Sequence, residues 1–164
     1  MLDFYRYYDH SSDLFSYDKQ DLIMPDKIWR FYCDHMEDLS DEENRRRYPE
    51  YMKQIAKMPE ISFRYAKEKL TNRWPEAEKY IIKKPQYAVE YTIYVINRDK
   101  HPYRDKMERW KEAEPNILAG PVDYIWNYIQ LVIKDEWPEA EEALRKSPSI
   151  WSWYQSSFIL DHWN

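Results

Sequence analysis

From residue 47 onward the apolar side chains fall into short helical phases separated by prolines. Trp74, Ala77 and Ile81 lie about one helical turn apart, as do Trp137, Ala140 and Leu144, and this spacing predicts a helix with one buried face. A second phase follows each of these: Ala88, Tyr91 and Val95 in one place, Trp151, Tyr154 and Phe158 in another. Proline opens both phases. At the first helical position its missing N–H costs nothing, and the residue before it is pushed out of the helical region, which ends whatever helix came before. The glutamates just after the first proline face the positive end of the helix dipole.

The phases repeat. Trp74-Pro75-Glu76-Ala77-Glu78 recurs letter for letter as Trp137-Pro138-Glu139-Ala140-Glu141, and Arg109-Trp110-Lys111-Glu112-Ala113-Glu114 is a near copy. With offset 0 at Arg47, Arg73, Arg109 and Glu136, offset 1 is always aromatic (Tyr48, Trp74, Trp110, Trp137) and offset 3 always glutamate (Glu50, Glu76, Glu112, Glu139). Offset 12 is always proline (Pro59, Pro85, Pro121, Pro148), and a tyrosine follows it by six or seven residues (Tyr65, Tyr91, Tyr128, Tyr154). This is the signature of tandem units of about 26 residues, each two short helices. Pro25 to Met36 reads as the second half of a degenerate earlier unit, with Ile28, Phe31 and His35 at the matching offsets, and His162-Trp163 restarts a unit.

The expected fold is therefore all-α: stacked short helical hairpins in one repeat domain over residues 1–164. Residues 1–46 form a degenerate unit with an acidic segment, and residues 47–164 form four units. Two stretches break the period. Lys100-His101-Pro102 resembles a unit start, followed by Tyr103, Met107 and Trp110 at helical spacing, and predicts a lengthened first helix. Glu37 to Asn44, before Arg45-Arg46-Arg47, reads as a surface loop or an exposed helix end.

The unit Arg-Trp-Pro-Glu-Ala-Glu, an apolar stretch, a proline and a Tyr-containing helix resembles the short tandem helical-hairpin repeats in proteins of unknown function from bacteriophages and large viruses. The likeness covers roughly residues 47–160 and leaves the first 24 residues unplaced. It implies an all-α repeat fold and a phage origin, with action in the host cytoplasm as an inhibitor or modulator of a host defence protein. It supplies no catalytic residues.

Composition narrows the chemistry. A single glycine, Gly120, stands where average usage would place about 11 among 164 residues. Neither a P-loop, nor a dinucleotide-binding glycine turn, nor a nucleophile elbow can be written with it. With 43% apolar residues the chain can fill a core. No cleavable leader and no apolar run near the length of a spanning helix is apparent, so a soluble cytoplasmic protein away from membranes is expected. Net charge is −5, but it is banded: −8 over residues 1–43, +8 over 44–112 and −5 over 113–164. The bands can attract one another in the fold, or the middle one can be a surface for a polyanion.

Three constellations could carry chemistry. The pairs Glu76/Glu78, Glu112/Glu114 and Glu139/Glu141 could be offered as acid and base, yet residues two apart on a helix diverge, and an active site is needed once, not in every copy. Cys33 and His35 diverge in the same way, and His10, His101 and His162 would have to come from elsewhere to complete a metal site, so an ordinary Cys33 is expected. The basic middle, with Arg45, Arg46, Arg47, Lys83 and Lys84 among aromatics, could track single-stranded RNA.

These observations lead to a non-enzymatic protein-binding repeat domain, without cofactor or metal, whose partner is a host protein. RNA binding is the alternative. The closing helix carries Ile150, Trp151, Trp153, Tyr154, Phe158, Ile159 and Leu160, with Trp163 beyond, more apolar residues than one inward face can absorb. Ile150, Trp153 and Trp163 are therefore expected to meet a partner or a second copy of the chain, unless Leu2, Phe4, Tyr5, Tyr7 and Tyr8 fold over them.

Overall fold

The computed structural model describes residues 25–159, and among these the chain is all-α, without strands. Helix α1 (Pro25–His35) is followed by α2 (Asp41–Arg47), then by α3 (Pro49–Ala56) with α4 (Pro59–Lys69), and α5 (Pro75–Ile81) with α6 (Pro85–Tyr91). Next come α7 (Glu114–Leu118) with α8 (Val122–Tyr128), and α9 (Glu141–Leu144) with α10 (Pro148–Tyr154). One π-helical turn extends each of α6, α8 and α10: Thr92–Ile96, Ile129–Ile133 and Gln155–Ile159.

Proline punctuation works as the sequence suggests, and it explains the variable tyrosine spacing. Pro59, Pro85 and Pro148 are the first residues of α4, α6 and α10, whereas Pro121 caps α8 from outside, so that helix begins one residue later. Counted from the helix start, Tyr65, Tyr91, Tyr128 and Tyr154 are all the seventh residue, and so is Phe31 in α1. These four tyrosines are buried, at 1% exposure or less. Offsets 1, 4 and 8 are buried as expected in three units, with Trp74, Ala77 and Ile81, Trp110, Ala113 and Ile117, and Trp137, Ala140 and Leu144 all in the core. Helices α4 and α6 touch, as do α6 and α8, so the tyrosine-bearing helices are neighbours along the molecule.

One local expectation is made specific and another changes. Glu37 to Asn44 is not only loop: Ser40 caps α2 through a reciprocal pair of hydrogen bonds with Glu43, and α2 has acids in its first turn and Arg45, Arg46 and Arg47 in its last, matching its dipole. The lengthened first helix before Trp110 is absent, and residues 99–113 are turns and irregular chain leading to the five-residue α7. Asn97 accounts for this. Its Oδ1 accepts from the Glu108 N–H at 2.6 Å and its Nδ2 donates to the Glu108 carbonyl at 2.9 Å. Both main-chain groups of Glu108 are thereby taken out of a helical ladder. Lys111 also stands where the other units have their helix-opening proline.

Lys134, which ends the π-turn after α8, has φ 56° and ψ 31°, the left-handed region in which a β-carbon is crowded. Lys134→Gly should therefore raise stability by about 1 kcal/mol, measured by urea unfolding. An unchanged or lowered midpoint would mean that the Lys134 side-chain bond to the Asp105 carbonyl outweighs the backbone cost.

Candidate functional site

The most ordered chemistry is a recurring cluster on the buried side of the helix pairs. In α6 the Tyr91 hydroxyl accepts from the Trp74 backbone N–H at 2.7 Å and donates to Glu78 Oε1 at 3.0 Å. Glu78 in turn receives Arg73 in a two-pronged ion pair at 2.7 and 2.8 Å. The same set appears one unit later. Tyr128 accepts from Trp110 N–H at 2.9 Å and donates to Glu114 at 3.3 Å, and Arg109 clamps Glu114 at 2.7 and 2.8 Å. A helix's opening N–H groups have no intrahelical partner, so the tyrosine hydroxyl supplies a bond that the turn at the tryptophan lacks.

The cluster also links successive units. The Tyr65 ring lies 5.3 Å from Trp74, Tyr91 5.2 Å from Trp110, and Tyr128 5.6 Å from Trp137. The guanidiniums of Arg45, Arg73 and Arg109 sit 5.7 to 5.8 Å from the centres of the same three indoles. Phe31 of the degenerate unit meets Tyr48 in the same way at 5.3 Å, so its register with the tyrosines extends to its contact. The remaining offsets of that unit are less regular: Ile28 is buried but His35 is exposed, and Tyr32 and Met36 take the inward positions.

Both ends of the series differ. Tyr65 bonds to Asn44 Nδ2 at 3.2 Å and Asp41 at 2.8 Å, because Met52 stands where later units have glutamate. Tyr154 accepts from Trp137 N–H at 2.8 Å, but Glu136 replaces the arginine, and Glu141 pairs with Arg145 at 2.8 Å.

Burial, more than any neighbouring charge, raises the phenol pKa of Tyr65, Tyr91, Tyr128 and Tyr154 above the usual tyrosine value. An unfolded chain ionises its tyrosines near pH 10 while these stay neutral in the fold. Stability from this source is therefore complete below about pH 10 and falls as pH rises toward the folded-state values. In an alkaline titration the tyrosinate absorbance of these four phenols should appear only together with loss of helical circular dichroism. Early ionisation of these phenols without unfolding would contradict the burial.

No family model, curated protein or solved structure matches the chain.

The acidic pairs separate as helix geometry demands. Glu78 and Glu114 belong to the clusters, whereas Glu76, Glu112 and Glu139 are exposed. Cys33 is half-buried, and burial first, then Glu37, pushes its thiol pKa up, away from nucleophilic reactivity. His35 packs its ring 4.6 Å from Phe31. Among the described residues no group of three or more His, Cys, Asp or Glu side chains is placed to hold a metal ion. His10 and His162 lie outside the described residues.

The residues of the expected basic surface lie on separate elements. Arg45, Arg46 and Arg47 occupy the end of α2, where Arg45 pairs with Asp41 at 2.8 Å and Arg47 with Glu43 at 3.2 Å. Lys83 and Lys84 lie in the turn between α5 and α6, with Lys83 5.7 Å from the Tyr80 ring. Both arginine pairs are i,i+4 contacts within α2.

At the closing helix the three residues expected to meet a partner divide. Trp153 is exposed, at 56%. Ile150 is not: it is buried at 5%, because it lies one turn before Tyr154 on the same inward face of α10. Trp163 and the N-terminal residues Leu2 to Tyr8 lie outside the described residues. Sequence reasoning missed two other exposed aromatics, Tyr94 at 45% and Tyr103 at 77%. The broken period at residues 98–108 was the available signal for Tyr103.

Proposed function

We propose that this chain is a non-enzymatic domain of stacked helical-hairpin units that binds another protein, and that its role is to inhibit or modulate a host factor, as its resemblance to phage and viral repeat proteins suggests. One observation supports the reading above the rest: Tyr94, Tyr103 and Trp153 stand exposed while the repeat tyrosines and the offset-1 tryptophans are buried. Exposed Trp and Tyr are favoured anchors of protein interfaces. The carboxylate pairs that might suggest catalysis recur with the repeat and hold helix starts. Pairing of Arg45 and Arg47 with carboxylates weakens the case for RNA.

The test is capture from a host lysate with and without nuclease, using the wild type and Trp153→Ser. The reading expects a protein recovered in both conditions and lost, by roughly tenfold or more, with the substitution. Recovery that depends on intact nucleic acid would overturn it. Recovery unaffected by Trp153→Ser would remove α10 from the interface. Light scattering of both proteins separates partner binding from self-association.

A further inference from the structure

Two junctions inside the stack are built from the same groups. Arg109 clamps Glu114, its guanidinium lies 5.8 Å from the Trp137 ring of the next unit, and that indole lies 5.6 Å from Tyr128. Arg73, Glu78, Trp110 and Tyr91 make the preceding junction in the same way. The unit of α9 and α10 lacks the arginine, since Glu136 stands at that offset, and the repeat alone would leave its tyrosine to meet an indole from a following unit. Register would supply Trp163, nine residues after Tyr154 as Trp74 follows Tyr65 and Trp137 follows Tyr128.

The last unit has both missing groups among its own residues. Glu141, at the offset of Glu78 and Glu114, pairs with Arg145 at 2.8 Å. The Arg145 guanidinium lies 4.7 Å from the Trp151 ring, and that indole lies 5.6 Å from Tyr154 with the two planes 29° apart. Carboxylate, guanidinium, indole and phenol are thus joined in the order of the interior junctions, with Arg145 in the part of Arg109 and Trp151 in that of Trp137. Side-chain size agrees. The residue three before the tyrosine is Ser62, Ala88 or Ile125 in the earlier units, all buried, and a half-buried tryptophan only here. The outward member is charged, Arg145 keeping 60% of its side chain exposed, as the end of a repeat stack requires.

We propose that Trp151 and Arg145 are a built-in terminator of the repeat. Trp151 holds, against Tyr154, the place that the following unit's indole takes at Tyr91 and Tyr128. Arg145 lies over that indole and presents a solvated charge outward. Neither a further unit of this chain nor a helix pair of a second copy can then continue the stack at α10, and Trp163 is kept from the position its register offers. The device does not depend on the protein-binding reading. It leaves Trp153, two residues from Trp151 and exposed, for the partner of that reading.

The test is fluorine NMR of the full-length chain labelled with 5-fluorotryptophan, the Trp151 and Trp163 signals being identified by their loss in Trp151→Phe and Trp163→Phe. Tyr154→Leu, which removes the ring, should move the Trp151 signal and leave that of Trp163 in place. If circular dichroism shows that this variant does not fold, the surface change Arg145→Gln gives the same comparison. Trp151→Ala restores the alanine that α6 has at this position and uncovers Tyr154. In it the freed place should be taken either by Trp163, whose signal then moves, or by a second copy, seen in light scattering as a mass that rises with concentration where the wild type's does not. A Trp163 signal that follows Tyr154→Leu or Arg145→Gln in place of Trp151's would overturn the proposal, because the tail would already hold the site. So would a Trp151→Ala protein in which neither the Trp163 signal nor the mass changes, since nothing would have been blocked.

Discussion

Tyr91→Ala is expected to destabilise the protein by about 3–5 kcal/mol, the range for removing a large aromatic side chain from a well-packed core. Tyr91 is fully buried, its ring lies against Trp110 of the next unit, and its hydroxyl joins the Trp74 N–H to Glu78. The loss therefore reaches both sides of a unit boundary. Tyr91→Phe keeps the ring and removes only the hydroxyl, leaving the buried Trp74 N–H unpaired while Glu78 keeps both bonds to Arg73, for about 1–3 kcal/mol. Pro75→Ala, at a helix start where alanine is accepted, should change stability by only a few tenths of a kcal/mol. Urea unfolding of the three variants checks the order. A near-neutral Tyr91→Ala would remove the tyrosine from the core and with it the register of the whole repeat.

Gly120→Ala should cost about 1–3 kcal/mol. Gly120 does not have a positive φ, so freedom of the backbone is not its purpose. A β-carbon there would lie 2.6 Å from both Cβ and Cγ of Pro85, the rigid first residue of α6. The one glycine of the chain thus stands where the turn before α8 closes on the start of α6. Combining Gly120→Ala with Pro85→Gly should recover part of the loss. A Gly120→Ala protein as stable as the wild type would show that the two turns can separate without penalty.

Helical periodicity and proline placement made the pairs α3/α4, α5/α6 and α9/α10 legible before any coordinates, because proline acts locally and apolar spacing maps directly onto a face. The seventh-residue rule for the tyrosines was only half visible. Pro121 sits outside its helix while Pro59, Pro85 and Pro148 sit inside theirs, and sequence alone does not distinguish the two positions. The course of residues 99–113 was misread, since Tyr103, Met107 and Trp110 have helical spacing but a side chain from outside the segment, Asn97, binds its backbone. Long-range bonds of that kind leave no periodic trace. The Arg-Glu-Tyr clusters could have been suspected from arginine at offset 0 and glutamate at offset 5 in two units, but the bond that gives them meaning runs to a backbone N–H. The exposure of Trp153 was readable from an excess of apolar residues on α10. That Ile150 would share the buried face was not, because its neighbours in sequence are equally apolar.

A buried tyrosine hydroxyl closes the turn at each of Trp74, Trp110 and Trp137 and so ties the two helices of a unit together. Hydrogen exchange at the backbone amides of Trp74, Trp110 and Trp137, followed by NMR in the native state, tests it most directly. Amides just ahead of a helix ordinarily exchange quickly, having no intrahelical acceptor. The bonds from Tyr91, Tyr128 and Tyr154 predict slow exchange at all three, approaching that of core helical amides, and selective loss of protection at Trp74 in Tyr91→Phe. Exchange at the rate of open-chain amides in the wild type, or protection at Trp74 unchanged by Tyr91→Phe, would contradict it.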